Sequence, residues 1–539
     1  MKAQCLPFTQ IPHTTRLFSD FLYDFPKVSG FYARPPRYGE WLSEQSRAIS
    51  YDLARRQQVA AVLSRQNRGW GASEKTLENL ARFEGGALAA VTGQQVGLFG
   101  GPLFTVFKVL SAVRLAEEAS AQGIPTVPVL WMAAGDHDLA EVNHTFLSGA
   151  GGELHRVATP TQGTEGAPVG GIRIGDELLP VVEQAAALLG ESEATGWLRA
   201  AYQPGETFGS AFAKFYTRVF GKLGVILLDP NDADLQALAG PVYSGAIEHA
   251  AELSASLLQR GKELARAGYR EQVKVTPAST TMFGMKNGAR TAIHRLRADG
   301  NGETFEIGGE KLLQESLLRQ IAARPSDFSP NALLRPVLQD SLLPTLAYVG
   351  GPAEVAYFAQ SAVVYEKLLG RVTPIVPRFS ATILDAKQSG LLERYGLSLS
   401  DMFAGSDEVR QRIAARTLPA GVQQEFDAAQ QAFESSLTNV RASLERLDST
   451  LTDAADRSGR KIRYQLERLR QRAANAELRR NEVLSRHAGF LSDTLFPGKA
   501  PQERQLGGVQ FLARHGADLL PRVLENVQPG CVDHQLLFV

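Results

Sequence analysis

The segment Ala87–His144 constrains this chain most. Ala87–Val91 is an apolar run of strand length, and Thr92–Gly101 holds four glycines in ten residues. Pro102 follows, and proline suits a first helical position because that N–H has no partner in a helix anyway. Phe104, Phe107, Leu110 and Leu115 then recur at helical steps, interrupted by Lys108 and Ser111. Gly123 and Pro125 stop the helix, and Thr126–Ala133 reads as a second buried strand. The whole is a βαβ unit with a glycine-rich first turn. Glycines let backbone N–H groups approach a ligand, and a helix start adds partial positive charge, so the expected guest is an anion. The second strand runs into Gly135-Asp136-His137-Asp138, with Glu141, Asn143 and His144 beyond. Ligands of open parallel sheets sit at the carboxyl ends of strands, where both clusters fall.

Further strand–turn–helix units extend the pattern. Thr207–Gly221 is amphipathic, Val225–Leu228 is a strand, and Asp229-Pro-Asn-Asp232 reads as turn chemistry rather than as a ligand pair. Thr345–Val349 is a strand followed by Gly350-Gly351-Pro352, an echo of Gly100-Gly101-Pro102. Two such corners suggest two helix starts facing one cleft. Glu354 also suits a helix dipole. Arg335, with a planar fork, is a candidate carboxylate clamp, and Arg378 closes the strand Thr373–Val376 as a candidate anion ligand. Val273–Leu296, centred on Asn287-Gly288, reads as an inserted β hairpin. Its basic residues Lys286, Arg290, His294 and Arg295 read by default as a charged, solvated edge, and alternatively as a flap over an anionic substrate.

From Val422 the composition changes. Phe426, Phe433, Leu437, Val440, Leu444, Leu447 and Leu451 step by threes and fours once Gln430 is counted, and Ile462, Leu466, Leu469, Ala473, Ala476 and Val483 do so with Arg480 filling a step, all among charges. This is a heptad pattern on two helices with a break in Asp448–Gly459, so an antiparallel helical hairpin is expected. The domain reading is a core over 1–420 with the hairpin insertion near 273–297, a helical segment over 421–492, and a segment over 493–539 that packs back on the core.

Composition narrows the function. Lys+Arg and Asp+Glu each number 57, which offers no electrostatic case for nucleic acid or an anionic membrane. No apolar run reaches about 18 residues, and the N-terminus lacks a signal peptide's apolar stretch. Cys5 and Cys531 lie at opposite ends and form no CxxC motif, which fits a reducing, cytoplasmic setting. Cys531 reads as a small core residue, and His13 as structural. Asp136, His137, Asp138 and His144 could meet a metal, but no tight metal site is expected.

TGQQVGLFGGPLFTVFK, PVLWMAAGDHDLAEVNH, LPFTQIPHTTRLFSDFL, FSPNALLRPVLQDSLLPTLAYVGGPAEVAYFAQ and VPRFSATIL, in this order along the chain apart from the N-terminal stretch, resemble the bacillithiol biosynthesis cysteine-adding family, BshC. The resemblance implies an α/β, Rossmann-like parallel-sheet core and a dimerising coiled coil, hence a homodimer. It also implies a ligase joining L-cysteine to the amine of glucosaminyl malate. A free carboxylate is a poor electrophile, so ATP (leaving ADP or AMP) is the expected activator. On this reading His137 or His144 is the general base, and Asp136 and Asp138 orient it. Gln94, Gln95, Gly97, Gly100 and Gly101 cradle an anion. Asn143, Gly350, Gly351 and Glu354 complete the site, and Arg335 or Arg378 holds the malate carboxylates. Two rival readings are another nucleotide-dependent transferase on the same sheet and a non-enzymatic coiled-coil scaffold.

Overall fold

The computed structural model describes residues 2–296 and 303–539. Met1 and Arg297, the outer limits of the expected core and of its hairpin, lie outside the described residues. The chain forms two compact units. The first comprises 1–147, 155–382 and 503–537, and the second 148–154, 383–502 and 538–539. The segment 421–492 falls within the second unit, whose main stretch begins earlier, at Ile383, and most of 493–539 is built into the first.

In the first unit the chain lays down β1 (Leu88–Gln94), α1 (Phe104–Ala121), β2 (Thr126–Met132) and β3 (Ile226–Leu228). It then inserts β4 (Ser279–Lys286), β5 (Ala289–Arg295), β6 (Thr304–Ile307), β7 (Glu310–Leu313) and β8 (Phe328–Pro330). It returns with β9 (Thr345–Gly350), α2 (Pro352–Leu369) and β10 (Ile375–Pro377). The returning and opening strands make a five-stranded sheet in the order β10-β9-β1-β2-β3, with every pairing parallel. This is the expected Rossmann-like core. Its strands read as apolar runs because both faces are covered: Thr126–Met132 is buried at every position. α1 is buried nearly all round, which accounts for its long apolar sequence and makes Lys108 a charge inside the protein.

The strand order turns at one place. β1, β2 and β3 proceed to one side, and β9 joins β1 on the other. Between β1 and β9 the two following connections leave in opposite directions and open a crevice. The two Gly-Gly-Pro corners follow these two strands, so the topology alone brings them together.

The insertion is larger than a hairpin. β4 and β5 meet through Asn287-Gly288, both at positive φ as a tight hairpin turn demands. β6, β7 and β8 complete an antiparallel sheet in the order β7-β6-β5-β4-β8. Those strands have three or four residues each, too short for an alternating pattern to identify them.

In the second unit, α3 (Ala420–Leu447) and α4 (Leu451–Arg480) form the expected helical hairpin, with the break at Asp448–Thr450. Leu437 packs over Gly459, and Arg463 and Glu434 pair at 2.6 Å across the two helices. Val440, Leu447, Ile462 and Leu469 stay exposed.

Candidate functional site

A cavity of about 760 Å³ opens in the first unit at the crevice between β1 and β9. Its floor is the strand ends and helix starts of the parallel sheet, and the inserted sheet supplies a wall. Of the residues expected to form a site, Gln94, Gln95, Asp136, His137, Arg335, Gly351, Glu354 and Arg378 line it. Gly97, Gly100, Gly101, Asp138, Asn143, His144 and Gly350 do not.

The glycine loop differs from expectation for a clear reason. Its N–H groups are already used: Gly97 donates to the Gln95 carbonyl, Gly100 to Gly97 and Gly101 to Leu98. Gly100 N–H also meets the Tyr202 hydroxyl at 3.1 Å, and Tyr216 donates to the Gly100 carbonyl. The loop is a buried seat for aromatic rings, so it does not fit a nucleotide phosphate. Asp138 caps a short helix through the Glu141 N–H at 3.2 Å. His144 starts the strand His144–Ser148, its Nδ1 3.2 Å from Asn143 Oδ1, and burial and then Arg156 push its pKa down. It stands apart from His137 in the sense that the cavity holds one and not the other.

One side of the cavity is built around Asp136. Its Oδ2 accepts from Gln95 Nε2 at 2.6 Å, and its Oδ1 accepts the His137 backbone N–H at 2.7 Å. Gln95 Nε2 also reaches Glu141 at 2.9 Å. Arg290, from β5, lies over the Phe283 ring and donates to Ser329 Oγ and the Pro330 carbonyl. Its Nη1 is 3.1 Å from His137 Nδ1. A guanidinium can only donate, so His137 Nδ1 accepts and the neutral ring carries its proton on Nε2. Arg290 is therefore part of the cavity wall, not a solvated edge charge.

The other side is a buried polar network that joins the two corner helices. Lys108 of α1 pairs with Glu354 of α2 at 2.6 Å and also donates to the Gly93 carbonyl and Gln94 Oε1. Glu354 accepts from Gly351 N–H at 2.7 Å and from the Tyr348 hydroxyl at 2.6 Å. Burial alone would raise the Glu354 pKa, but Lys108 and these hydrogen bonds outweigh it and hold the carboxyl below its ordinary value. Arg335 spends its fork on Tyr357, Tyr348 and Gln339. Arg378 spends its own on Glu503 at 2.6 and 2.9 Å. Glu503 in turn accepts from Ser380, which contacts the buried His534. Both expected carboxylate clamps are thus committed to protein partners.

Arg504 is the exception. Its guanidinium lies over the Phe104 ring and lines the cavity, with no hydrogen-bond or ion-pair partner among the described residues. Burial and then Arg378 disfavour its charge, Glu503 favours it, and a guanidinium stays protonated at neutral pH. Glu503 packs into the Arg378 and Ser380 network, whereas its neighbour Arg504 turns to the cavity. Lys108, Tyr348 and Tyr357 were missed. A single lysine in the apolar run Phe104–Val113 is the signal that could have marked the first.

Among the described residues no cluster of three or more His, Cys, Asp or Glu could hold a metal, and no helix is long and apolar enough to cross a membrane.

A parallel, Rossmann-like sheet with a cavity at its reversal point, followed by a helical hairpin, defines a two-part α/β protein. The family is specific. Residues 1–379 match the model of the bacillithiol biosynthesis BshC N-terminal Rossmann-like domain, and 381–539 that of the BshC C-terminal coiled-coil domain. The chain belongs to the BshC family. It is 46% identical over 539 residues to the "Putative cysteine ligase BshC" of Koribacter versatilis, covering both chains fully. Proteins of the same name from Solibacter usitatus and Salinibacter ruber are 38% and 31% identical. The alignments cover 100% of both chains for the former, and 97% of this chain and 96% of the relative for the latter.

Proposed function

We propose that this protein is a cysteine ligase of bacillithiol biosynthesis, forming the amide between the carboxyl of L-cysteine and the amine of glucosaminyl malate. Family membership and full-length relatives bearing that name support the reading. The observation that carries it is Arg504, a guanidinium with no ion-pair partner among the described residues, lining the same cavity as Asp136 and His137. A malyl group brings carboxylates, and Arg504 offers a fork to receive one of them. The start of α2 at Gly351–Glu354 adds the positive end of a helix dipole beside it.

In this arrangement His137 presents Nε2–H and acts as a donor to a substrate oxygen. Asp136 is the carboxylate at hand to accept the proton that the attacking amine loses. Its hydrogen bonds to Gln95 and to the His137 N–H fix its orientation. Arg335 and Arg378, with their forks on Tyr357 and Glu503, hold the cavity wall in place. Cysteine's carboxyl needs activation before an amine can displace its oxygen, and ATP is the expected reagent. The glycine loop turns its N–H groups to protein acceptors and offers ATP no phosphate seat. The exposed apolar positions of α3 and α4 support a homodimer through the helical hairpin. The working setting is the cytoplasm.

The test is direct. The purified chain is given cysteine, ATP and glucosaminyl malate, and the product is followed by mass spectrometry. Bacillithiol, formed with ATP and not without it, supports the reading. No amide product, or an ester or phosphodiester instead, would favour another transferase on the same sheet.

A further inference from the structure

The chain has two cysteines, 526 positions apart in sequence. The fold brings their Sγ atoms to 3.8 Å, both as free thiols. Cys5 belongs to the strand Lys2–Leu6, which lies beside the C-terminal strand that starts at His534. Cys531 sits in the loop just before that strand, with Gln535 Nε2 at 3.4 Å from its sulfur. The surroundings pin both sides of the pair. Tyr23 accepts from the Phe8 N–H at 2.8 Å and donates to Asp533 at 2.7 Å, tying the segment after Cys5 to the segment after Cys531. Arg37 holds the Gly530 carbonyl at 3.1 Å. Cys5 is exposed, and a surface depression lined by Pro7, Thr9, Arg37, Gln528 and Cys531 adjoins it, so a small reagent reaches both sulfurs.

We infer that Cys5 and Cys531 are a modification site: a dithiol that converts reversibly to an internal disulfide by exchange with a low-molecular-weight disulfide. A disulfide needs sulfurs at about 2.05 Å, and side-chain rotation of less than about 2 Å closes the remaining gap. One protein thiol loses its proton, and its thiolate attacks one sulfur of the reagent RSSR. The reagent's S–S bond breaks, RS⁻ leaves, and a mixed disulfide remains on the protein. The second protein thiolate attacks the protein sulfur of that mixed disulfide, forms the Cys5–Cys531 bond and expels the second RS⁻. Two protein thiols are oxidised, one RSSR is reduced to two RSH, and the two cysteine protons end on the leaving thiolates. The product ties the first strand of the chain to the loop before its last.

The experiment uses the full chain with glutathione disulfide as the probe. Burial, Cys531 and the Asp533 carboxylate push the Cys5 thiol up, so the exchange is run at about pH 8.5. It is quenched with an alkylating agent and read by intact and peptide mass spectrometry. The expected result is a chain lighter by two hydrogens, alkylated at neither cysteine, yielding one peptide pair joined through residues 5 and 531. Dithiothreitol should restore two alkylatable thiols. Cys5→Ser should stop at one glutathione adduct on Cys531, and Cys531→Ser at one on Cys5. Two stable adducts on the same chain, a disulfide between chains, or thiols that stay fully alkylatable would each overturn the inference.

Discussion

The chain writes Gly-Gly-Pro twice after a central strand and uses it in two different ways. At the first corner Gly100 and Gly101 both take positive φ, and the helix waits until Phe104. At the second, Gly350 is still strand, Gly351 is an extended N-cap, and the helix starts at Pro352. The first corner is closed by Tyr202 and Tyr216 and faces the protein interior. The second opens onto the cavity. The tripeptide thus says that a helix follows a strand, and residues about a hundred positions away decide whether the corner is closed over or opens onto the cavity.

The largest expected effect comes from the ion pair that links the two corners. Glu354→Leu leaves Lys108 buried without its counter-charge and should cost about 3–5 kcal/mol in unit stability, read from urea midpoints. All four tryptophans lie in the first unit, so their fluorescence reports on it. Adding Lys108→Met should recover much of the loss. If Glu354→Leu is as stable as wild type, the network is not what joins the corners.

Glycine substitutions separate the corners themselves. A Cβ on Gly100 would lie 2.8 Å from Phe215 and 3.0 Å from the Tyr216 hydroxyl, at φ +87. Gly100→Ala should therefore cost about 2–4 kcal/mol. On Gly351 the nearest atoms are at 3.5 Å and φ is ordinary, so Gly351→Ala should change stability by less than about 1 kcal/mol. Equal effects in the same urea assay would erase the distinction.

The corners should also differ in pH response, because the second alone is backed by a titratable chain through Arg378, Glu503, Ser380 and His534. Burial pushes His534 down to about 4 from 6.5. Between those values the unfolded chain binds more protons than the folded one, so stability present above pH 6.5 is lost as pH falls toward 4. The loss attributable to this group is about 3 kcal/mol. His534→Gln should flatten that part of the profile. An unchanged slope in denaturation across this window would show that the imidazole is not held neutral.

The smallest effect on stability should come from Arg504→Ala, within about 1 kcal/mol, because its guanidinium abandons only a distant contact with the Phe104 ring and no hydrogen bond or ion pair. Its kinetic effect should be large: a KM for glucosaminyl malate raised by about tenfold or more, with kcat less affected.

Much of the core was legible because each parallel strand is a short apolar run punctuated by glycine or proline. Thr126–Ala133, Val225–Leu228 and Thr345–Val349 are found within a residue or so of where they were read. Asp229 and Asp232 serve the turn and the next helix start, as expected. Hidden from the sequence was whatever depends on distant pairing. β6–β8 are defined by their neighbours in the sheet. Arg378 looked free until Glu503, 125 positions on, took its fork. The same distance effect hid Arg504, whose partner-free state is a property of the folded cavity, and the meeting of Cys5 with Cys531.

The central claim is that the second corner, with Arg504, receives the acidic acceptor substrate. Calorimetric titration of glucosaminyl malate into the wild-type chain and into R504A tests it most directly. The account predicts saturable binding to wild type and an affinity weaker by about tenfold or more in R504A, a loss of about 1.4 kcal/mol or more. Equal affinity in the two proteins would contradict it.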